Sequence, residues 1–195
     1  MTDLKNITMI MAHPDDEVIF GWLVLKQASK IITVVGSSKY DTYHPKWRDM
    51  VLEEMGKFLG IEVICLHYED CICRLSQNEI DGLFEKLKEV TKDSEIIFTH
   101  NEHGDYGHPD HKLVYQLVSK LNKKVIVSNI TDFGKDKTNF TPVKITGKEL
   151  QVCYNDLDFY EKCHKIYDKN ACWTWGHPPI KEAILMEKSS TSMEN

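Results

Sequence analysis

Residues 7–17 read Ile7-Thr8-Met9-Ile10-Met11-Ala12-His13-Pro14-Asp15-Asp16-Glu17. The apolar run 7–12 has the length and composition of a buried strand. Pro14 has no backbone N–H and a fixed φ, so strand pairing stops there and the polar groups after it turn outward. A histidine and carboxylates released together at the end of a buried strand point to a metal site, and imidazole plus carboxylate suits Zn²⁺. A cap offers an ordinary alternative, in which Asp15 or Asp16 starts a helix near Glu17.

A further ligand has a candidate in His108-Pro109-Asp110-His111, which follows a second apolar run, 96–99, and a polar loop. Caps alone do not require two histidine clusters, each after a strand. Between the two clusters the chain alternates. Residues 18–27 are strongly apolar and predict a helix packed on a sheet, with Gly21 its one breaker. Residues 30–37 predict the second strand, and the helix that holds Val51, Leu52, Met55, Phe58 and Leu59 stops at Gly60. A third strand at 61–66, an amphipathic helix at 78–91, a fourth strand at 95–99, a helix at 112–121 and a fifth strand at 125–128 complete the alternation. That pattern predicts an α/β, Rossmann-like fold with a mostly parallel sheet and helices on both faces. If the first and fourth strands are neighbours, as in the order 3-2-1-4-5, both clusters face one crevice at the carboxyl ends of the strands. No GxGxxG follows the first strand and no GxSxG occurs, which removes support for dinucleotide binding and for a serine hydrolase.

With His13, Asp16 and His111 as ligands, Zn²⁺ keeps a position for water whose pKa falls to roughly 7. Fe²⁺, Mn²⁺ and Co²⁺ also accept such ligands. Asp15 fits a general base beside that water. His108, read as an imidazolium near Asp110, fits an oxyanion stabiliser or an acid toward the leaving amine, a donor worth about 3 to 4 kcal/mol. Arg48, in the first turn of its helix, faces either an anionic or polyhydroxyl ligand or simply solvent.

The 195 residues suit a single domain, with a motif-bearing core at about 7–128 and a less readable portion at 129–195. That last portion predicts a further strand around 143–145, a helix at 157–167, a loop at 170–179 whose Trp173 and Trp175 read as structural, and a polar tail. A formal charge of -6 without a long basic run argues against nucleic acid and anionic membrane as partners and favours small molecules. The start of the sequence is polar and lacks a signal or membrane segment, so a cytoplasmic location is expected. The six cysteines then read as reduced thiols, and Cys71-Ile72-Cys73 has no matching pair for a structural zinc.

The two motifs, His13-Pro14-Asp15-Asp16-Glu17 and Gly107-His108-Pro109-Asp110-His111, resemble the zinc-dependent N-acetylglucosaminylphosphatidylinositol de-N-acetylase family, also called LmbE-like. The similarity spans about 7–121. It implies a Rossmann-like fold and removal of an acetyl group from N-acetylglucosaminyl compounds. It also implies His13, Asp16 and His111 as zinc ligands, Asp15 as base, and His108, oriented by Asp110, as oxyanion stabiliser and acid. Tyr106 then assists the intermediate and Arg48 contacts the substrate. Two departures bear on the substrate: the glycine pair common after the first motif is here Gly21-Trp22, and a Ser-Gln pair often found near the family's C-terminal end is missing. The membrane anchor of the eukaryotic glycolipid enzymes is absent too, so a soluble sugar conjugate is the expected substrate.

Overall fold

A computed structural model describes residues 4–36, 48–130, 145–173 and 179–188. The expectations for most of the strand around 143–145, for Trp175 and for most of the polar tail lie outside these residues.

Among the described residues there are seven strands, β1 (Ile7–Met11), β2 (Ala28–Val35), β3 (Glu62–Tyr68), β4 (Ile96–Thr99), β5 (Lys124–Ser128), β6 (Lys148–Tyr154) and β7 (Glu182–Glu187). They form one sheet in the order β3-β2-β1-β4-β5-β7-β6. The first five are parallel, as the expected 3-2-1-4-5 order requires. β7 then pairs antiparallel with both β5 and β6. The strand order reverses between β1 and β4, the place where ligands bind in sheets of this kind.

β1 is buried at every residue because helices cover both faces. Ile7, Met9 and Met11 face one core with α1 (Asp16–Ile19), α2 (Arg48–Leu59) and α5 (Leu157–Asp168). Ile10 and Ala12 face the other, with α3 (Gln77–Val90) and α4 (Pro109–Val118). α3 starts at a capping box, in which Ser76 and Glu79 satisfy each other's N-terminal donors.

Three elements differ from the sequence reading. Residues 18–27 do not form one helix. α1 ends at Ile19, and turns closed by Val24 N–H to Gly21 O and Gln27 N–H to Val24 O lead into a 3₁₀ turn, Leu25–Gln27. Residues 18–25 are all buried, so this stretch has no polar face and is held by packing on every side. Gly21 marks the break: a Cβ there would run into Met9 Cε and lie 2.8 Å from the Glu17 carbonyl oxygen. The other two are β6 and β7, which went unread because β6 is a half-exposed edge strand with charges at its start and β7 carries a glutamate at each end. Trp173 packs against His164, Tyr160 and Tyr167, in keeping with its structural reading.

Candidate active site

The turn after β1 is built by its own carboxylates. Asp16 Oδ2 accepts the His13 N–H at 2.8 Å, which folds the chain back over Pro14. Asp15 adopts a left-handed conformation, φ 101°, unusual for a residue with a side chain. Its N–H is held by Glu17 Oε2 at 3.1 Å, while Glu17 Oε1 accepts the hydroxyl of Tyr167 from α5. Burial pushes the Glu17 carboxyl up to about 8, against those hydrogen bonds, so it is largely protonated at neutral pH.

The turn after β4 is built by Asn101. Its Oδ1 accepts the N–H groups of His103 and Asp105, and its Nδ2 donates to the carbonyls of Ser128 and Ile130. All four hydrogen-bonding capacities of the amide are used. Asp105 Oδ2 thereby meets two ring nitrogens, His100 Nδ1 at 2.6 Å and His111 Nδ1 at 2.9 Å, and the two imidazoles stack at 3.8 Å. His100 Nε2 accepts the Ala12 N–H at 2.9 Å, which fixes the proton of that ring on Nδ1. Burial and the neighbouring His111 charge hold His100 below its ordinary pKa, in keeping with a neutral ring.

The structure brings the predicted ligands together. One donor atom from each of His13, Asp16 and His111 lies within 4.8 Å of the other two. Asp16 Oδ2 is the hub, 3.3 Å from His13 Nδ1 and 3.3 Å from His111 Nε2. On its far side, His13 Nε2 lies 3.3 Å from both Asp70 Oδ1 and Asp110 Oδ2. Burial opposes charge on His13 and His111, yet the carboxylates prevail. Asp110, Asp16 and Asp70 hold His13 well above its ordinary value, and Asp16 and Asp105 raise His111 to about 9. Protons thus occupy a buried, carboxylate-rich pocket that a cation suits. His111 Nε2 is itself buried without a hydrogen-bond partner among the described residues. Asp105 behind Nδ1 and an orphaned Nε2 in front form the carboxylate–histidine–metal pattern, so the residues present fit a divalent cation.

The other expected residues surround this triangle. His108 is the N-cap of α4 and stacks on His111 at 4.6 Å. Tyr106 stacks on Phe20, 5.8 Å away, with His108 and His111 at 5.6 and 5.4 Å. Burial and the charges of Asp16 and Asp15 push the Tyr106 hydroxyl well above its ordinary pKa, so it stays a neutral donor.

Two expectations meet a different arrangement in the structure. Asp110 does not orient His108 through its carboxylate. The Asp110 backbone N–H donates to His108 Nδ1 at 3.2 Å, whereas the carboxylate accepts the Cys73 N–H at 2.9 Å and turns to His13. Burial and the charges on His111 and His13 push His108 down to about 4, which favours a neutral ring over the expected imidazolium. With Nδ1 accepting, the proton of the neutral ring sits on Nε2.

Arg48 is 3% exposed, so the reading as a solvated surface arginine falls. Its Nε and Nη1 lack hydrogen-bond partners among the described residues, with Asp70 Oδ2 nearest at 3.6 Å from Nη1. His100, Asp105, Asp70 and Tyr167 are participants that the sequence reading did not single out.

Fold and site together put the chain among hydrolytic N-deacetylases. It belongs to the GlcNAc-PI de-N-acetylase (PIG-L) family, whose profile matches residues 8–122. An uncharacterized protein of Acanthamoeba polyphaga mimivirus is 28% identical over 176 residues, covering 83% of this chain and 73% of that protein. The A40926 pseudoaglycone deacetylase has the same fold, with TM-score 0.67 at 14% identity over 96% of this chain and 99% of that one. The N,N′-diacetylchitobiose deacetylase of Pyrococcus horikoshii superposes with TM-score 0.58 at 18% identity, over 88% of this chain and 72% of that one. Among the described residues, no helix is long and apolar enough to cross a membrane.

Proposed function

We propose that the protein removes the N-acetyl group from an N-acetylglucosamine-type sugar or sugar conjugate, using a divalent metal, with Zn²⁺ first in line. The observation that carries this reading is the orphaned His111 Nε2, aimed at the Asp16 hub and backed by Asp105. His13 Nδ1, Asp16 and His111 Nε2 would hold the ion, which supplies Lewis acidity toward water and the amide oxygen.

The chain's own groups do the rest. Asp15, 1% exposed and fixed by the Glu17 hydrogen bond to its N–H, takes a proton from the attacking water. That proton is the one the departing amine needs. His108 offers its Nε2–H to the developing oxyanion as a neutral donor, so it loses no charge while doing so. Tyr106 contributes a second neutral donor, its hydroxyl, from the same wall. Arg48, whose Nε and Nη1 have no hydrogen-bond partner among the described residues, binds hydroxyl or anionic groups of the substrate. Support for a sugar substrate comes from the family and from the two solved deacetylases, one of which is named for a diacetylated chitobiose.

The test is acetate release by metal-stripped protein, with and without Zn²⁺, from free, nucleotide-linked, inositol-linked, malate-linked and chitobiose forms of N-acetylglucosamine. Zinc-dependent acetate is expected from at least one form, and Asp15→Asn is expected to lower kcat by about 10² to 10⁴ while zinc still binds. Stoichiometric zinc without acetate from any form refutes the reading.

A further inference from the structure

A second cluster of metal-ligating side chains lies where β2 and β3 end, and the first site uses none of it. Its members are Asp49 in the first turn of α2, Cys65 in β3, and His67, where β3 bulges. Cys65 Sγ is 3.4 Å from Asp49 Oδ1, and His67 Nδ1 is 3.2 Å from Asp49 Oδ2. One donor atom from each of the three lies within 4.8 Å of the other two. We propose that Asp49, Cys65 and His67 form a second divalent-cation site, selective for a thiophilic ion such as Zn²⁺.

Three observations converge on it. The first is the donor set: thiolate, imidazole and carboxylate are the three side-chain ligand types that Zn²⁺ takes, and tetrahedral bonds of about 2.0 to 2.3 Å separate such donors by roughly 3.3 to 3.6 Å. The sulfur at 3.4 Å from Oδ1 and the imidazole at 3.2 Å from Oδ2 lie close to that spacing, each facing its own oxygen of Asp49. The second is the surroundings of the sulfur. The His67 N–H points at Sγ from 3.4 Å. Thr33, the register partner of Cys65 across β2 and β3, lies against the thiol and turns its fully buried hydroxyl toward the sulfur. Two donors converging on one sulfur are what a metal thiolate needs around it. The third is the space kept at Gly36. A Cβ there would sit 2.6 Å from Cys65 Sγ and 2.9 Å from Asp49 Oδ1, filling the gap between the two donors. His67 provides the route in, since its side chain is 64% exposed.

The first site has no sulfur donor, and that separates the two in one experiment. Metal-stripped protein is titrated with Co²⁺, following bound metal and the near-ultraviolet charge-transfer absorption that only a thiolate–cobalt bond gives. Two equivalents and a charge-transfer band are expected. His111→Ala should remove one equivalent and keep the band. Cys65→Ser and His67→Ala should each remove the other equivalent with its band, His67→Ala being a surface change that spares the fold. The proposal is overturned by a single equivalent without the band, or by a band that survives Cys65→Ser and therefore belongs to another thiol.

Discussion

Replacing Glu17 by glutamine isolates the electrostatic cost of the buried carboxyl behind Asp15. In the unfolded chain this group ionises near 4.5, whereas burial lifts it to about 8 in the fold. Between those values the folded state holds a proton that the unfolded state has lost, so stability falls as pH rises, by about 1.4 kcal/mol per pH unit. The full loss is about 5 kcal/mol, of which about 3 kcal/mol falls between pH 5.5 and pH 9. Glutamine carries no such charge, yet keeps both contacts. Its carbonyl accepts the Asp15 N–H, and its NH₂ donates to the Tyr167 oxygen, which serves as acceptor as well as donor. Wild type and Glu17→Gln should therefore be about equally stable below pH 4.5, and at pH 5.5 the variant should already lead by about 1.4 kcal/mol. At pH 9 its lead should have grown by about 3 kcal/mol more, which adds roughly 6 to 12 °C to the difference in Tm for a domain of this size. Urea and thermal unfolding of both proteins in chelator measures this, since the other titrating groups are common to both and cancel in the difference. A stability difference that stays flat from pH 5.5 to pH 9 would show that Glu17 is not held protonated by its surroundings.

Asp105→Asn presents an NH₂ to one of the two Nδ1 atoms that now share Oδ2, so His111 loses its fixed orientation; zinc affinity should drop about 10- to 100-fold in a competition titration with a chromophoric chelator, and an unchanged affinity would remove Asp105 from the metal site. Gly104→Ala puts a Cβ 2.5 Å from the His108 carbonyl oxygen at a φ of 68°, so it should destabilise the fold by about 1 to 3 kcal/mol in urea, and a neutral result would mean the turn before α4 yields easily.

What the sequence made legible is what depends on local pattern. The runs at 7–12 and 96–99 are each followed by a histidine motif, the second after a polar loop, and parallel topology alone was enough to bring His13, Asp16, His108 and His111 to one edge. What escaped depends on partners distant in the chain or on choices local pattern leaves open. His100 looks no different from His103 in sequence; it is set apart by the Ala12 N–H, 88 residues away. Asp110 was read beside its neighbour His108, whereas α4 turns its carboxylate toward His13 and the Cys73 N–H. Asp70 follows β3, and only the packing of that loop against β1 brings it to His13 and Arg48. The stretch 18–27 failed for another reason, since burial on all sides erases the periodicity by which a helix is recognised.

The hydroxyl of Tyr167 meets Glu17 across 150 positions of sequence. Contacts of that span form late, because the closure entropy of the long loop must be overcome first. During synthesis the parallel strands and both histidine motifs leave the ribosome well before α5 does. A nascent chain therefore has every residue proposed to hold the metal before it has the brace behind Asp15. The order of maturation follows: the pocket acquires its proposed donors first, and the residue proposed as base gains that brace only when α5 docks.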